Sequence, residues 1–187
     1  SRLSALNPVV DTGLEHRYQA VMERVRQAAQ SAGRDPGEIT TVVVTKFHPP
    51  ELIEQLVALG VRDIGESRHQ EAVAKHSVLG HLPLTWHFVG QLQSNKAKAV
   101  ADYCQVIHSL DRPSVVDKIA ASGHRVQGFI EINLTDDPAR GGVWPDDLLV
   151  LVERVLASDT IELRGVMAVA PQDQSPEAAF ERVLRYR

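Results

Sequence analysis

Residues 40–46 of this chain are Thr40-Thr41-Val42-Val43-Val44-Thr45-Lys46, an apolar, β-branched segment that ends on a lysine. Together with the turn-forming pair Pro49-Pro50 that follows, the segment predicts a buried strand. A lysine at the end of such a strand lies among apolar neighbours, and partial burial lowers the pKa of an ammonium group. A lysine that loses its proton can form a Schiff base with an aldehyde. From this segment alone, a strand-end lysine that extends into solvent is the commoner arrangement.

Strands and helices alternate along the rest of the chain. After a helix over residues 13–33, the pattern predicts strands at 40–45, 61–64, 85–89, 105–109, 126–133 and 161–169, each followed by a helix. This alternation indicates parallel strands with helical crossovers, and therefore an α/β fold. An open doubly wound sheet and a TIM-type (β/α)₈ barrel both fit, but no Gly-x-Gly-x-x-Gly motif or P-loop supports a nucleotide-binding open sheet. We expect a single domain over residues 1–187.

Composition narrows the classes of function. The 187 residues are 43% hydrophobic with a net charge of −4, which gives no electrostatic attraction to nucleic acid or to a membrane surface. The single Cys104 excludes an internal disulfide and suits a reducing compartment. No apolar segment approaches about 18 residues, and residues 1–12 lack the core of a signal peptide. We therefore expect a cytoplasmic protein. His69, His76 and His81 lack the spacing of metal ligands, so no metal site is predicted.

Small and polar residues concentrate at the carboxyl ends of the predicted strands, where both architectures place their functional sites. The loops at the opposite ends of the strands, at 33–38, 123–125 and 157–160, have the composition of plain turns. This asymmetry predicts that the carboxyl end is functional. The residues at that end are Lys46, Gly65-Glu66-Ser67, Gly90, Gln93-Ser94-Asn95-Lys96, His108-Ser109-Leu110-Asp111, Asn133, Arg140-Gly141-Gly142 and Met167.

Three of the polar positions have more than one interpretation. Ser94-Asn95 could bind an anion through backbone N–H groups, but a simple helix N-cap is the commoner role for these residue types. Arg140-Gly141-Gly142 could hold a carboxylate or a phosphate, and a tight surface turn is an equal alternative. His87 lies within a strand, where a hydrogen-bonded core residue is commoner than a catalytic one.

Five segments together closely resemble the pyridoxal phosphate homeostasis protein family, from about residue 14 to the last residue. The block Trp86–Lys96 is the most specific of them. That family is similar in fold to the N-terminal barrel domain of alanine racemase, so the resemblance implies the TIM-type barrel. The five segments are Val44-Thr45-Lys46, Gly65-Glu66-Ser67-Arg68-His69-Gln70-Glu71, Trp86-His87-Phe88-Val89-Gly90-Gln91-Leu92-Gln93-Ser94-Asn95-Lys96, His108-Ser109-Leu110-Asp111 and Gly165-Val166-Met167.

The resemblance implies that Lys46 holds pyridoxal 5′-phosphate (PLP) as an internal aldimine, a Schiff base. It also implies a set of residues around the cofactor ring: Val44, Ser67, Val89, Gly90 and Met167. The family usually has Asn where this chain has Ser67, which weakens the expected hydrogen bond to the ring hydroxyl. Its Ser- and Gly-rich segment and its Arg-x-Gly-Thr segment, which supply the phosphate site and the last two strands, do not occur here. We therefore expect the last strands to be missing from this chain and the phosphate-binding residues to lie beyond residue 187.

Two functions compete on this basis, and a third, a structural or scaffold role without cofactor, would follow if the C-terminal segments of the family are truly absent. The first is a monomeric protein that holds PLP and delivers it to PLP-dependent apo-enzymes, or buffers it, without turnover. The alternative is a PLP-dependent amino-acid racemase, which needs a second base on the ring face opposite the lysine. In alanine racemase, a tyrosine from an additional domain and a partner subunit supplies that base. We expect no such domain here, and Tyr18, Tyr103 and Tyr186 all fall in predicted helices. The requirement for a second base therefore favours the non-catalytic function.

Overall fold

The strands of the sheet all run parallel and lie in the order in which they occur in the sequence. The structure, a computed structural model, describes residues 11–187. Sequential order is the arrangement of a (β/α)₈ barrel, whereas a doubly wound sheet reverses its order part-way. The predicted TIM-type barrel is confirmed, with β1 and β6 at the two edges of the six-stranded sheet that these residues form. The strands are β1 (Val43–Val44), β2 (Asp63–Glu66), β3 (Thr85–Phe88), β4 (Val106–Leu110), β5 (Val126–Glu131) and β6 (Ile161–Met167).

Helix α1 precedes the first strand, and one α-helix follows each strand. Three of them begin at a proline, Pro50, Pro113 or Pro176, because the first helical position needs no N–H donor. Within residues 11–187, no helix is both long and apolar enough to cross a membrane. The helices are α1 (Thr12–Ser31), α2 (Pro50–Ala58), α3 (His69–Leu79), α4 (Ser94–Tyr103), α5 (Pro113–Ala121), α6 (Leu148–Leu156) and α7 (Pro176–Leu184).

The core lies between the helices and one face of the sheet. Side chains alternate along each strand, so every second residue faces the helices and the others face the interior of the barrel, which we call the lumen. Strand residues of the core are fully or almost fully buried, among them Ile64, Trp86, Phe88, Ile107 and Ile130. They belong to one cluster with helix residues that include Ile53, Leu79, Val100, Ile119 and Val155.

The last helix packs differently from the prediction. We expected Ala179, Phe180, Val183 and Leu184 all to face inward, but Phe180 and Leu184 are 49% and 62% exposed. Ala179 is buried, and Val183 packs against the core. Phe180 and Leu184 each lie about 100° further round the helix than these two inward-facing residues, so they face solvent.

Strand β1 is shorter than the predicted strand 40–45, and its end is not buried. Its ladder comprises Val43 opposite Ile64 and Val44 opposite Gly65, with no second neighbour in the described sheet. Val44 is 48% exposed. A β-branched segment predicts a buried strand only when both sides are covered, and β1 lies at an edge.

The core between the helices and the sheet provides a direct test of the packing. Replacing the fully buried Ile107 by Ala should lower the free energy of unfolding by about 3 kcal/mol, because it removes apolar contacts and leaves a cavity. Leu149→Ala on α6, where the side chain is 74% exposed, should cost less than about 0.5 kcal/mol. Urea unfolding followed by circular dichroism measures both values, and equal losses would contradict this assignment of the core.

Candidate functional site

The parallel sheet brings the predicted site residues to one end. Lys46 lies in the turn directly after β1, Ser67 directly follows β2, and Val89 and Gly90 follow β3. Met167 is the last residue of β6. Ser67 and Gly90 are in close contact, because a Cβ added to Gly90 would lie 2.4 Å from the Ser67 carbonyl oxygen. The two β-strand ends can approach this closely only with a glycine at position 90.

An apolar wall lies on the lumen face of the first three strands. A Cβ added to Gly65 would lie 3.2 Å from Val42 Cγ1 and 3.3 Å from Val89 Cγ1. The two valines therefore come together over the bare backbone of Gly65. Val44, two residues after Val42, faces the same side. This surface is shallow and apolar, as the flat face of an aromatic ring requires.

The side chain of Lys46 is exposed, so the expected partial burial is wrong for this structure. The reason is the position of β1, which pairs only with β2 within residues 11–187. The closest aromatic group is the ring of Phe47, whose centroid lies 5.9 Å from Lys46 Nζ. The amine is therefore accessible from solvent at the carboxyl end of the sheet.

A buried ion-pair network on the helix-facing side holds the backbone on both sides of Lys46. Lys75 Nζ of α3 donates to Glu66 Oε1 at 2.6 Å, to Glu71 Oε1 at 2.8 Å and to the Thr45 carbonyl oxygen at 2.8 Å. Thr45 Oγ1 donates to Glu66 Oε1 at 3.0 Å. The Phe47 N–H donates to Glu71 Oε1. Hydrogen bonds from Lys75 and Phe47 hold the pKa of Glu71 below its usual range.

A chain of polar side chains occupies the amino-terminal half of the lumen. His87 Nε2 donates to Asp63 Oδ1 at 2.8 Å, and His87 Nδ1 lies 2.8 Å from His108 Nε2. The His108 ring stacks on Phe129 with 4.7 Å between centroids. Burial, and then the neighbouring His87, lower the pKa of His108 to about 4. These three polar residues line a cavity of about 460 Å³, and His87 is the hydrogen-bonded interior residue that the strand pattern favours.

The structure also bears on two of the open alternatives. Gln93, not Ser94 or Asn95, is the N-cap residue of α4, and its side chain makes no capping bond, so the N-cap interpretation was wrong. Gly141 and Gly142 have φ of 74° and 98° and follow the short 3₁₀ helix Pro138–Arg140. The Gly142 N–H donates to Asp111 Oδ2 at 3.1 Å. A carboxylate already pairs with that N–H, so the Gly142 N–H is not available to an anion.

Comparison with known proteins shows the family to which the chain belongs. The sequence profile of the alanine racemase N-terminal domain matches residues 17–185. The pyridoxal phosphate homeostasis protein of Pseudomonas aeruginosa is 36% identical over 172 residues, which cover 89% of this chain and 71% of that protein. The chain belongs to the pyridoxal phosphate homeostasis protein family.

Two solved structures extend the comparison. PipY of Synechococcus elongatus with PLP bound superposes with a TM-score of 0.75 at 29% identity, covering 87% of this chain and 79% of PipY. Alanine racemase of Corynebacterium glutamicum has a TM-score of 0.64 at 16% identity, covering 90% of this chain and 49% of the racemase. The second likeness concerns the fold alone. In this member of the pyridoxal phosphate homeostasis protein family, no cluster of three or more His, Cys, Asp and Glu side chains among residues 11–187 could hold a metal ion.

Glu131 is an ionisable residue of this family member that the sequence did not single out. It ends β5, pairs with Met167 in the ladder and is 6% exposed. Burial, and then the nearby Asp111, raise the pKa of its carboxyl group to about 7. Its sequence signal is weak, since a lone Glu in an apolar strand is as consistent with an edge position as with a buried one.

Glu131 makes the stability of the protein depend on pH. A carboxyl group whose pKa is raised on folding keeps its proton in the native state between its ordinary value of about 4.5 and about 7, so it contributes stability at low pH that is lost as the pH rises. Glu131→Gln removes this dependence. As the pH rises from about 5 to about 8, the free energy of unfolding of the variant should increase by up to about 3 kcal/mol relative to that of the unmodified chain.

Urea unfolding at several pH values measures that difference. His108 is present in both proteins, so its contribution to the pH dependence cancels. Glu54→Gln, at an exposed position on α2, is the matched control and should follow the unmodified chain at every pH. Parallel profiles for the Glu131→Gln variant and the unmodified chain would contradict the raised pKa.

Proposed function

We propose that this chain binds PLP covalently through Lys46 and acts in intracellular PLP homeostasis, holding or delivering the cofactor without turnover of its own. In this proposal, residues 1–187 act as one PLP-binding domain of a monomeric, cytoplasmic protein, and the recipients are PLP-dependent apo-enzymes. Neither nucleic acid nor a membrane is a partner.

The observation on which the proposal rests is the position of Lys46 among the five lysines of the chain. Lys75 is buried and bonded to three oxygen acceptors. Lys96, Lys98 and Lys118 lie on the outer helices α4 and α5. All five lie within residues 11–187, and among them Lys46 alone lies in the turn after a strand, whereas Lys96 lies in the first turn of α4.

The residues around this amine suit the cofactor. Bound PLP supplies an aldehyde on an electron-withdrawing aromatic ring. The unprotonated Lys46 amine condenses with that aldehyde, so that a C=N bond replaces the C=O bond and one water molecule leaves. Val44 and Val89 offer an apolar surface to the ring, Gly90 permits close backbone approach, and the Ser67 hydroxyl can hydrogen-bond a polar ring substituent. Met167 offers a polarisable thioether from the end of β6.

The relatives support the same function. The Pseudomonas aeruginosa relative is named for pyridoxal phosphate homeostasis, and PipY of Synechococcus elongatus has been solved with PLP bound. We propose that this chain shares that ligand, and that Val44, Ser67, Val89, Gly90 and Met167 surround it.

The positions of two tyrosines favour the non-catalytic role over racemisation. Tyr103 Oη lies 3.1 Å from His69 Nδ1, and its ring packs at 6.5 Å from Trp86 on the helix-facing side of the sheet. Tyr18 lies on α1. Burial raises the pKa of Tyr103 well above its usual range, so the phenol keeps its proton and cannot accept one from a substrate.

Covalent capture tests the role of Lys46. Incubation with PLP followed by borohydride should attach the reduced cofactor to Lys46, as peptide mass spectrometry will locate. Lys46→Ala should abolish this adduct and change the free energy of unfolding by less than about 0.5 kcal/mol, because the side chain is exposed. Lys118→Ala, on α5, is the matched control and should label normally. An adduct that persists in Lys46→Ala, or none in the unmodified chain, would refute the proposal.

Hydrogen exchange at alanine tests the absence of turnover. In deuterated buffer, the PLP-loaded protein should exchange the α-hydrogen of alanine no faster than free PLP at the same concentration, because the proposal assigns no second base to the ring face opposite Lys46. Proton NMR of alanine measures the rate. Exchange at an enzymatic rate would favour the racemase alternative.

A further inference from the structure

We infer that Lys75 and Glu71 are positioning residues that fix the direction of the Lys46 side chain. The inference rests on the proposed function, since it concerns the same amine. Neither residue reaches the lumen, where the cofactor would lie. Both act from the other side of the sheet, through the backbone of the turn that contains Lys46.

The first contact of this network holds the residue before Lys46. Lys75 is 5% exposed, and its Nζ donates to the Thr45 carbonyl oxygen at 2.8 Å. Thr45 is itself fully buried, and its hydroxyl donates to Glu66 Oε1 at 3.0 Å. Both bonds pull Thr45 toward the helices. In this inference, Thr45 faces the helices, so the turn that begins at Lys46 leaves the Lys46 side chain on the lumen side of the sheet.

The second contact holds the residue after Lys46. Phe47 has φ of 66°, the left-handed region that favours glycine, and it is the only non-glycine residue with positive φ within residues 11–187. Its N–H donates to Glu71 Oε1, the same oxygen that accepts from Lys75. The Arg68 guanidinium lies 4.7 Å from the centroid of the Phe47 ring. A bulky residue keeps this conformation only where neighbouring groups fix it.

Lys75 is the cation that joins the two contacts. It pairs with Glu66 at 2.6 Å and with Glu71 at 2.8 Å, and Glu66 is fully buried. Glu66 Oε2 has no hydrogen-bond partner in the described part of the chain. Without Lys75, the Glu66 carboxylate would be buried without a counter-charge, and the Thr45 carbonyl would keep only the His48 N–H, at 3.1 Å, as a donor. Lys75 therefore connects α3 to both sides of Lys46.

Two Glu71 variants separate hydrogen bonding from charge. Glu71→Gln keeps an oxygen that accepts from the Phe47 N–H, whereas Glu71→Leu keeps none. We expect Glu71→Leu to weaken PLP binding about tenfold and Glu71→Gln about twofold, since one net hydrogen bond corresponds to roughly that ratio. Absorbance titration measures the affinity. Glu153→Leu, at an exposed position on α6, removes one negative charge elsewhere and should leave the affinity unchanged.

Lys75 is tested by a double variant, because Lys75→Met alone would leave the buried Glu66 carboxylate without a counter-charge and so destabilise the fold. Lys75→Met/Glu66→Gln removes both charges of the pair. We expect about tenfold weaker binding of PLP, because the Thr45 carbonyl and Glu71 have both lost the Lys75 ammonium. Glu66→Gln alone, which keeps Lys75, should bind more tightly than the double variant.

Hydrogen–deuterium exchange of a peptide that covers residues 45–48 provides a readout that does not need PLP. The Phe47 amide should lose protection in Glu71→Leu and in the double variant, and keep it in Glu71→Gln and Glu153→Leu. If the unmodified chain fails to bind PLP, the proposed function is wrong and the exchange pattern still decides the positioning role. If PLP binds but affinity and exchange are the same in Glu71→Leu and Glu71→Gln, the positioning role is wrong.

Discussion

Parallel strand pairing is the constraint on which the rest of the structure depends. Each strand is followed by a helix that returns the chain to the start of the next, so every strand ends at the same side of the sheet. Residues far apart in the sequence, such as Lys46, Gly90 and Met167, therefore meet at one end. The same pairing gives each strand a helix-facing side and a lumen side, and these two sides carry different chemistry.

Ionisable side chains have different surroundings on the two sides of the sheet. On the helix-facing side, Lys75 stays within an otherwise apolar core because three oxygen acceptors surround its ammonium. On the lumen side, burial and then His87 lower the pKa of His108 to about 4. Burial and then Asp111 raise the pKa of Glu131 to about 7. The helix-facing network fixes backbone position, whereas on the lumen side the protonation of Glu131 changes near neutral pH.

Local sequence patterns predicted the elements well but not the polar contacts. Strands and helices follow from β-branched segments, prolines and glycines, which act over a few residues. Glu71 and Lys75 have the spacing of an ordinary surface pair on a helix, and only the packing of α3 against β2 shows that Lys75 is buried. The chain from Asp63 through His87 to His108 depends on the register between β2, β3 and β4. The burial of Lys46 was misjudged because the pattern of one strand does not reveal which strands flank it.

The contrast between Lys46 and Lys75 explains why we propose the chemistry for Lys46 and not for Lys75. Both lie near the end of β1, and Lys75 bonds to the carbonyl group of the residue just before Lys46. Lys75 has its three N–H bonds occupied, two of them by carboxylate oxygens. In the part of the chain that the structure describes, no carboxylate or carbonyl oxygen accepts a hydrogen bond from Lys46, and its side chain is exposed. An aldehyde that enters the carboxyl end of the lumen can therefore reach Lys46, while the ion pairs and the sheet keep Lys75 out of reach.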